Sequence, residues 1–174
     1  MPVLWIVLAV LALGLVGYVV ARSRAMQSAD GDARKLHSLP TYYGWNAILL
    51  TVVPSLLVLA AWLLVSPIVI ESRIAQTIPD SAVRDSLGLT MAEVRRTANG
   101  LEAAVNAGVM TEDVARNARA DFTDMTARLQ QAGQIVTSQI TVPILRAAQE
   151  LRSATAASQT LMSVVVLALA AAGL

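Results

Sequence analysis

Few side chains in this sequence are of the types that catalyse reactions or bind metals. The 174 residues include one histidine, His37, and no cysteine, which excludes a multi-histidine metal site, a cysteine–zinc site and a thiol nucleophile. The motif GxxxxGK[ST] is absent, and the acidic pairs Glu112/Asp113 and Asp121/Asp124 fall on predicted exposed helix without an apolar pocket to raise a carboxylate pKa. His37 is most simply a polar loop residue, with a pH-sensing or contact role as the alternative. We therefore predict that the protein is not an enzyme and has no catalytic, cofactor-binding or metal-binding residue.

The distribution of charge divides the chain into apolar and water-exposed segments. The net charge of +1 gives no reason to expect nucleic acid binding. Residues 1–21 and 36–70 carry no charged side chain, whereas residues 71–158 hold nine arginines and ten acids. The gap between the two uncharged stretches has a net charge of +2, from the residues Arg22, Arg24, Arg34, Lys35, Asp30 and Asp32.

Two apolar runs, residues 3–21 and 46–70, are each long enough to cross a bilayer, which takes about 20 helical residues. A third run begins near Gln159 and is still apolar at Leu174, so we expect a span that continues beyond this sequence. No basic segment precedes the first run, as a cleaved signal peptide would require, and we expect an uncleaved span there. The sequence therefore predicts an integral membrane protein.

The basic loop predicts the orientation of these spans, because short loops rich in lysine and arginine stay in the cytoplasm. We expect residues 22–45 to be cytoplasmic, the N-terminus to be periplasmic and residues 71–158 to form a periplasmic insert in a bacterial inner membrane. Within the first span, Gly14, Gly17 and Ala21 place small residues on one face, which permits close packing against a neighbouring helix. Pro54 is expected to kink the second span and to free a carbonyl.

The insert is predicted to be helical throughout. Thr90 and Glu93 have the spacing of a capping box at a helix start, and Gly108 suits the end of that helix. Thr111 is predicted to cap one longer helix, and Pro143 is predicted to break or bend the chain. The apolar stripes of these segments are expected to be Val94, Ala98, Leu101 and Val105, then Val114, Ala118, Phe122, Met125, Leu129, Ala132, Val136 and Ile140, and finally Ile144, Leu145, Ala148 and Leu151.

One stretch at the start of the second span resembles a known family. Residues 36–45 read LHSLPTYYGW and are followed by Pro54 and a leucine-rich run. This resembles the N-terminal region of PstC-type permease subunits of bacterial phosphate ABC transporters, in which a short span, a basic loop and an "LHS-P-YYG"-like start of the second span precede a helical periplasmic insert. The matched positions are taken as family markers of unknown role, and they are Leu36, His37, Ser38, Leu39, Pro40, Tyr42, Tyr43 and Gly44.

The resemblance implies ion transport and a set of partners. These are a second permease subunit, ATPase subunits that hydrolyse ATP from the cytoplasm, and a periplasmic phosphate-binding protein, besides the lipid bilayer. Glu102-Ala103-Ala104 followed by Gly108 matches the letters E-A-A-x3-G of the loop that couples permease to ATPase, but it lies in the predicted insert, and we interpret it as a chance match. The helices that would line a phosphate path are not part of the sequence, so no substrate-binding residue is assigned.

The predicted fold is an all-α membrane protein with two transmembrane helices, a helical periplasmic insert and the start of a third transmembrane helix. Its segments are transmembrane helix 1 (1–21), the cytoplasmic basic loop (22–45), transmembrane helix 2 (46–70), the insert (71–158) and a truncated transmembrane helix 3 (159–174). The predicted function is that of an accessory membrane region that helps to assemble a phosphate importer. The alternatives are a transmembrane sensor or chemoreceptor-type protein with a helical periplasmic domain, and a structural anchor.

Overall fold

The structure is a computed structural model that describes residues 3–32, 34, 38–79, 86–119, 125–131, 133 and 140–173. Every regular element in these residues is an α-helix, as predicted. The helices are α1 (Val3–Ser28), α2 (Pro40–Thr77), α3 (Leu87–Asn106), α4 (Glu112–Asn117), α5 (Met125–Gln131) and α6 (Val142–Ala172).

Three of these helices are long and apolar enough to cross a membrane, namely α1, α2 and α6. The helices α2 and α6 contain 38 and 31 residues, more than the roughly 20 that one crossing requires. Each is continuous with polar sequence at one end, since α2 carries Glu71 and Arg73 and α6 carries Arg146 and Arg152. Helical structure therefore extends beyond the predicted spans 46–70 and 159–174.

The chain divides into two compact units. The first unit comprises Met1–Ser66 and Ala157–Leu174, and the second comprises Pro67–Ala156. The core of the first unit is formed by α1, the first part of α2 and the last part of α6, and its buried apolar residues are Ile6, Val10, Leu59, Met162, Val166 and Ala170. The core of the second unit contains residues of α2, α3, α4, α5 and α6, among them Ile74, Val94, Leu101, Ala115, Leu129, Leu145 and Ala148.

The helix α3 buries Val94, Ala98 and Leu101 of the predicted stripe and leaves Val105 half-buried, and it begins earlier than predicted. Its N-cap is Ser86, whose Oγ accepts a hydrogen bond from the Leu89 amide at 3.2 Å. Thr90 lies inside the helix and donates from Oγ1 to the Ser86 carbonyl at 3.1 Å. Serine is as good an N-cap as threonine, and the capping-box spacing at Thr90 and Glu93 was therefore misleading.

The end of α3 lies where it was predicted. Gly108 follows the C-cap Ala107 with a φ of +71°, in the left-handed region that favours glycine. The Val109 amide donates to the Ala104 carbonyl and the Gly108 amide donates to the Val105 carbonyl, each at 3.0 Å. This pair of bonds is a Schellman motif, which satisfies the last carbonyls of the helix.

The prediction of one long helix after Thr111 was wrong. Thr111 caps a helix as predicted, with Val114 N donating to its Oγ1 at 3.4 Å, but α4 ends at Asn117 and Ala118 is extended. Ala115 is buried, whereas Val114, which was predicted to be in the stripe, is 37% exposed. Leu129 on α5 is fully buried as predicted, while Phe122, Ala132 and Val136 lie outside the described residues.

Pro143, which was predicted to break or bend the chain, stands near the start of a helix. It is the second residue of α6, where its missing N–H would have no helical partner in any case. The predicted amphipathic stretch with Ile144, Leu145 and Ala148 buried is confirmed, and it is continuous with the third apolar run in a single helix.

Candidate functional site

The family-marker residues lie at the start of α2. Ser38 and Leu39 precede the helix and Pro40 is its first residue, which suits a ring with a fixed φ. Tyr42 is 65% exposed and Tyr43 is also exposed. Leu36 and His37 lie outside the described residues. Exposed aromatic rings beside an apolar run are typical of a membrane–water boundary.

Gly44 is the marker residue that touches another helix. It is buried against Tyr18 on α1, and a Cβ at residue 44 would overlap the Tyr18 ring, at 2.5 Å from Cε2. The Tyr18 ring also packs edge-on against Trp45, with ring centroids 6.2 Å apart and an interplanar angle of 77°. Edge-to-face pairs of this kind are favourable beyond the area that they bury. The marker segment thus fixes the start of α2 against the later part of α1.

The predicted small-residue face of α1 packs in the first unit. Gly14 and Gly17 are both buried. A Cβ at residue 14 would lie 2.6 Å from Val52 Cγ2 on α2, so the glycine allows the two helices to approach closely. Ala21 is half-buried and lines a cavity.

Polar contacts also join α2 to the last part of α6. Thr51 is fully buried and donates from Oγ1 to the Gly173 carbonyl at 3.0 Å. Pro54 has no N–H to donate to the Leu50 carbonyl, as predicted for a proline within this helix, and Gly173 lies directly against that carbonyl. A Cβ at residue 173 would be 2.8 Å from the Leu50 oxygen, so a side chain there is excluded.

A second polar contact between these helices centres on Ser158. The indole nitrogen of Trp62 donates to Ser158 Oγ at 3.0 Å, and Ser66 Oγ is hydrogen-bonded to the same hydroxyl. The hydroxyl of Ser158 thus joins two side chains of α2 to α6. Hydrogen bonds of this type between membrane helices are worth about 0.6 kcal/mol on average and up to about 1.7.

In the second unit, Arg152 joins three helices. Its guanidinium on α6 contacts Glu102 on α3, with Nε and Nη2 at 3.2 and 3.1 Å from Oε2, and Nη2 lies 2.9 Å from Glu112 Oε2 on α4. The Arg152 side chain is 13% exposed, whereas that of Glu102 is 61% exposed. A planar fork of donors suits this shared contact better than a lysine ammonium would.

Gln149 on α6 explains where α4 ends. Its Nε2 donates to the carbonyl of Ala115 at 3.1 Å and to that of Ala118 at 3.0 Å. The last carbonyls of a helix have no partner within it, so a side chain that binds two of them stabilises the helix end. No sequence rule places a residue 31 positions away at this end.

The residues that match E-A-A-x3-G have ordinary structural roles in α3 and at its end. Glu102 pairs with Arg152, Ala104 is fully buried and Gly108 ends α3 in the left-handed conformation. These roles account for the residue types without a contact to an ATPase. Among the described residues, no cluster of three or more His, Asp or Glu side chains could hold a metal ion.

The first unit is thus an apolar bundle of membrane-type helices, and the second is a small helical unit. Comparison with known proteins identifies the family. A family model described as "Phosphate ATP-binding cassette transporter" matches residues 7–174. The chain belongs to the phosphate ATP-binding cassette transporter family. The match extends through both units of this transporter chain, and it confirms at the level of the family the resemblance seen in residues 36–45. No curated protein and no solved structure gives a significant match.

Proposed function

We propose that the chain is the N-terminal accessory membrane region of a permease subunit in a phosphate importer, where it helps to assemble the complex in the inner membrane. The observation that carries this proposal is the family match over residues 7–174, which includes α2, α6 and all but the first four residues of α1. The contacts described above are contacts between helices, which is what an assembly role requires.

The proposed topology follows the charge distribution. Residues 1–21, 46–70 and 159–174 cross the membrane, the basic loop 22–45 is cytoplasmic, and residues 71–158 form a periplasmic insert. Support comes from the absence of charged side chains in the three spans and from the net charge of +2 between the first two. The second unit, Pro67–Ala156, coincides closely with the proposed insert.

The proposed partners are a second permease subunit, ATPase subunits and a periplasmic phosphate-binding protein. The region itself has a non-catalytic role, since ATP hydrolysis belongs to the ATPase subunits. The marker residues Leu36 to Gly44 act by seating the second span at the membrane boundary, a role supported by the contact of Gly44 with Tyr18. The family match favours this function over a transmembrane sensor.

Phosphate uptake tests this function. In cells that express the transporter from an inducible promoter, we would remove the codons of residues 1–174 in frame and follow radiolabelled phosphate. The proposal predicts that uptake falls to the level of cells without the ATPase subunit, while sulfate uptake is unchanged. Since the promoter bypasses regulation, a sensor would leave phosphate uptake unaffected, and that result would contradict the proposal.

A further inference from the structure

A cavity of about 470 Å³ opens in the first unit where the end of α1 meets the start of α2. Its polar lining residues are Arg24 and Ser28 on α1, and Tyr43 and Asn46 on α2. Its apolar lining includes Ala25 and Leu50. The volume is within the range of small-molecule binding sites, roughly 300–1,000 Å³.

Three of the four polar lining residues of this cavity have no hydrogen-bond or ion-pair partner for their side chains within the described part of the chain. Arg24 has no ion pair there, and the side chains of Tyr43 and Asn46 form no hydrogen bond to a described residue. Ser28 donates to the Ala25 carbonyl at 2.8 Å, which leaves its oxygen free to accept. A guanidinium, a phenol and an amide thus present several donors to one open space.

The position of the cavity along the helices indicates what it meets. Residues 3–21 are uncharged, and Arg24 lies one turn beyond them. Tyr43 lies on α2 shortly before the apolar run 46–70 begins. In the proposed topology, on which this inference rests, the cavity lies at the height of the lipid headgroups, and several of its lining residues belong to the segment 22–45, which has a net charge of +2.

We propose that this cavity binds the phosphate group of an anionic phospholipid. Arg24 pairs with the phosphate, Tyr43 and Asn46 donate hydrogen bonds to its oxygens or to the headgroup hydroxyls, and the acyl chain lies along Ala25 and Leu50. Arginine is suited to this contact because its fork matches two phosphate oxygens. Basic pockets between membrane helices are a recurrent form of headgroup site.

Lipid retention in native mass spectrometry tests this site with phosphatidylglycerol as the probe. The purified chain in neutral detergent would be titrated with this lipid and, separately, with zwitterionic phosphatidylcholine. We expect Arg24→Gln to weaken phosphatidylglycerol binding roughly tenfold, equivalent to ~1.4 kcal/mol, because the charge-assisted hydrogen bonds to the phosphate are lost. Arg24→Lys should restore part of the affinity through its charge, and Tyr43→Phe should weaken binding less than Arg24→Gln does.

Arg22→Gln is the matched control. Arg22 is an exposed arginine on the same helix, two residues away, and it does not line the cavity. Equal losses from Arg22→Gln and Arg24→Gln would indicate diffuse attraction and overturn the proposal. Equal binding of phosphatidylcholine, or displacement of the lipid by millimolar inorganic phosphate, would also overturn it, the latter in favour of a free-anion site. Since Arg24 is exposed, its variants should retain the helical circular dichroism spectrum, which verifies folding in each titration.

Discussion

Gly44 on α2 lies so close to Tyr18 on α1 that a Cβ at residue 44 would be 2.5 Å from Cε2 and 3.0 Å from Cγ of the ring. The clash would involve Cγ, which joins the ring to Cβ, as well as the edge of the ring, so a small rotation of the Tyr18 side chain cannot relieve it. Tyr18 is also held by its edge-on contact with Trp45. The contact with Tyr18 explains why residue 44 is a glycine, which its position in the sequence alone does not.

Gly44→Ala should therefore destabilise the first unit. Overpacking typically costs about 1–3 kcal/mol, which exceeds the roughly 0.5–1 kcal/mol that alanine gains over glycine within a helix. We expect a lower midpoint of thermal unfolding in detergent, followed by circular dichroism. Gly88→Ala is the matched control, because its Cβ would meet nothing closer than 3.9 Å, and this variant should be as stable as the parent or slightly more so.

Replacing the ring tests the same contact from the other side. If Tyr18 is the obstacle, Gly44→Ala should cost little in a Tyr18→Ala background. The coupling free energy from this double-mutant cycle should be about 1 kcal/mol or more. Additive effects of the two substitutions would show that Gly44 is required for another reason.

Ser158→Ala should destabilise the contact between α2 and α6 in the first unit. The change removes the hydroxyl that accepts from Trp62 Nε1 and leaves the indole N–H without its partner. We expect a loss of about 0.5–2 kcal/mol in the free energy of unfolding. Ser153→Ala on the same helix removes only a local bond to the Glu150 carbonyl and should be nearly neutral; equal effects of both would refute the interhelical role.

Arg152→Gln should loosen the second unit. The substitution removes the charged donors that Glu102 and Glu112 share, and it should lower the free energy of unfolding by about 1–2 kcal/mol. The lower end of this range is favoured because both carboxylates are partly solvated. Hydrogen exchange should rise in the peptides that contain residues 101–119. Arg146→Gln, at an exposed position on the same helix, should leave exchange unchanged, and an equal rise would assign the effect to net charge.

The proposed topology predicts the labelling of single cysteines, which the cysteine-free chain allows to be introduced one at a time. Gln27 and Asp113 are both exposed in the structure. In intact cells an impermeant thiol reagent should label Asp113→Cys and not Gln27→Cys, whereas both should react after permeabilisation. Protection of Asp113→Cys with labelling of Gln27→Cys would reverse the orientation.

Sequence patterns predicted the features that depend on local chemistry. The apolar runs predicted the three membrane-type helices, and Gly108 and Thr111 predicted a helix end and a helix start. The spacing of Gly14 and Gly17 predicted a buried face, although it could not identify Val52 as the residue that meets it.

The features that were missed depend on residues far apart in the chain. The end of α4 is stabilised by Gln149 on α6, whose side chain donates to the carbonyls of Ala115 and Ala118. The bridging role of Arg152 likewise requires α3, α4 and α6 to meet, and no periodicity within one segment reveals this. The start of α3 was misplaced because Ser86 and Thr90, four residues apart, are both chemically suitable N-caps.

Purification of the chain from native membranes tests whether it belongs to a phosphate importer complex. The protein would carry an affinity tag at its own locus, be extracted in mild detergent from phosphate-limited cells, and have its bound proteins quantified by mass spectrometry. We expect the second permease subunit and the ATPase subunits of a phosphate importer to co-purify in near-stoichiometric amounts. Recovery without these subunits, or in a complex with signalling proteins in their place, would contradict the proposed function.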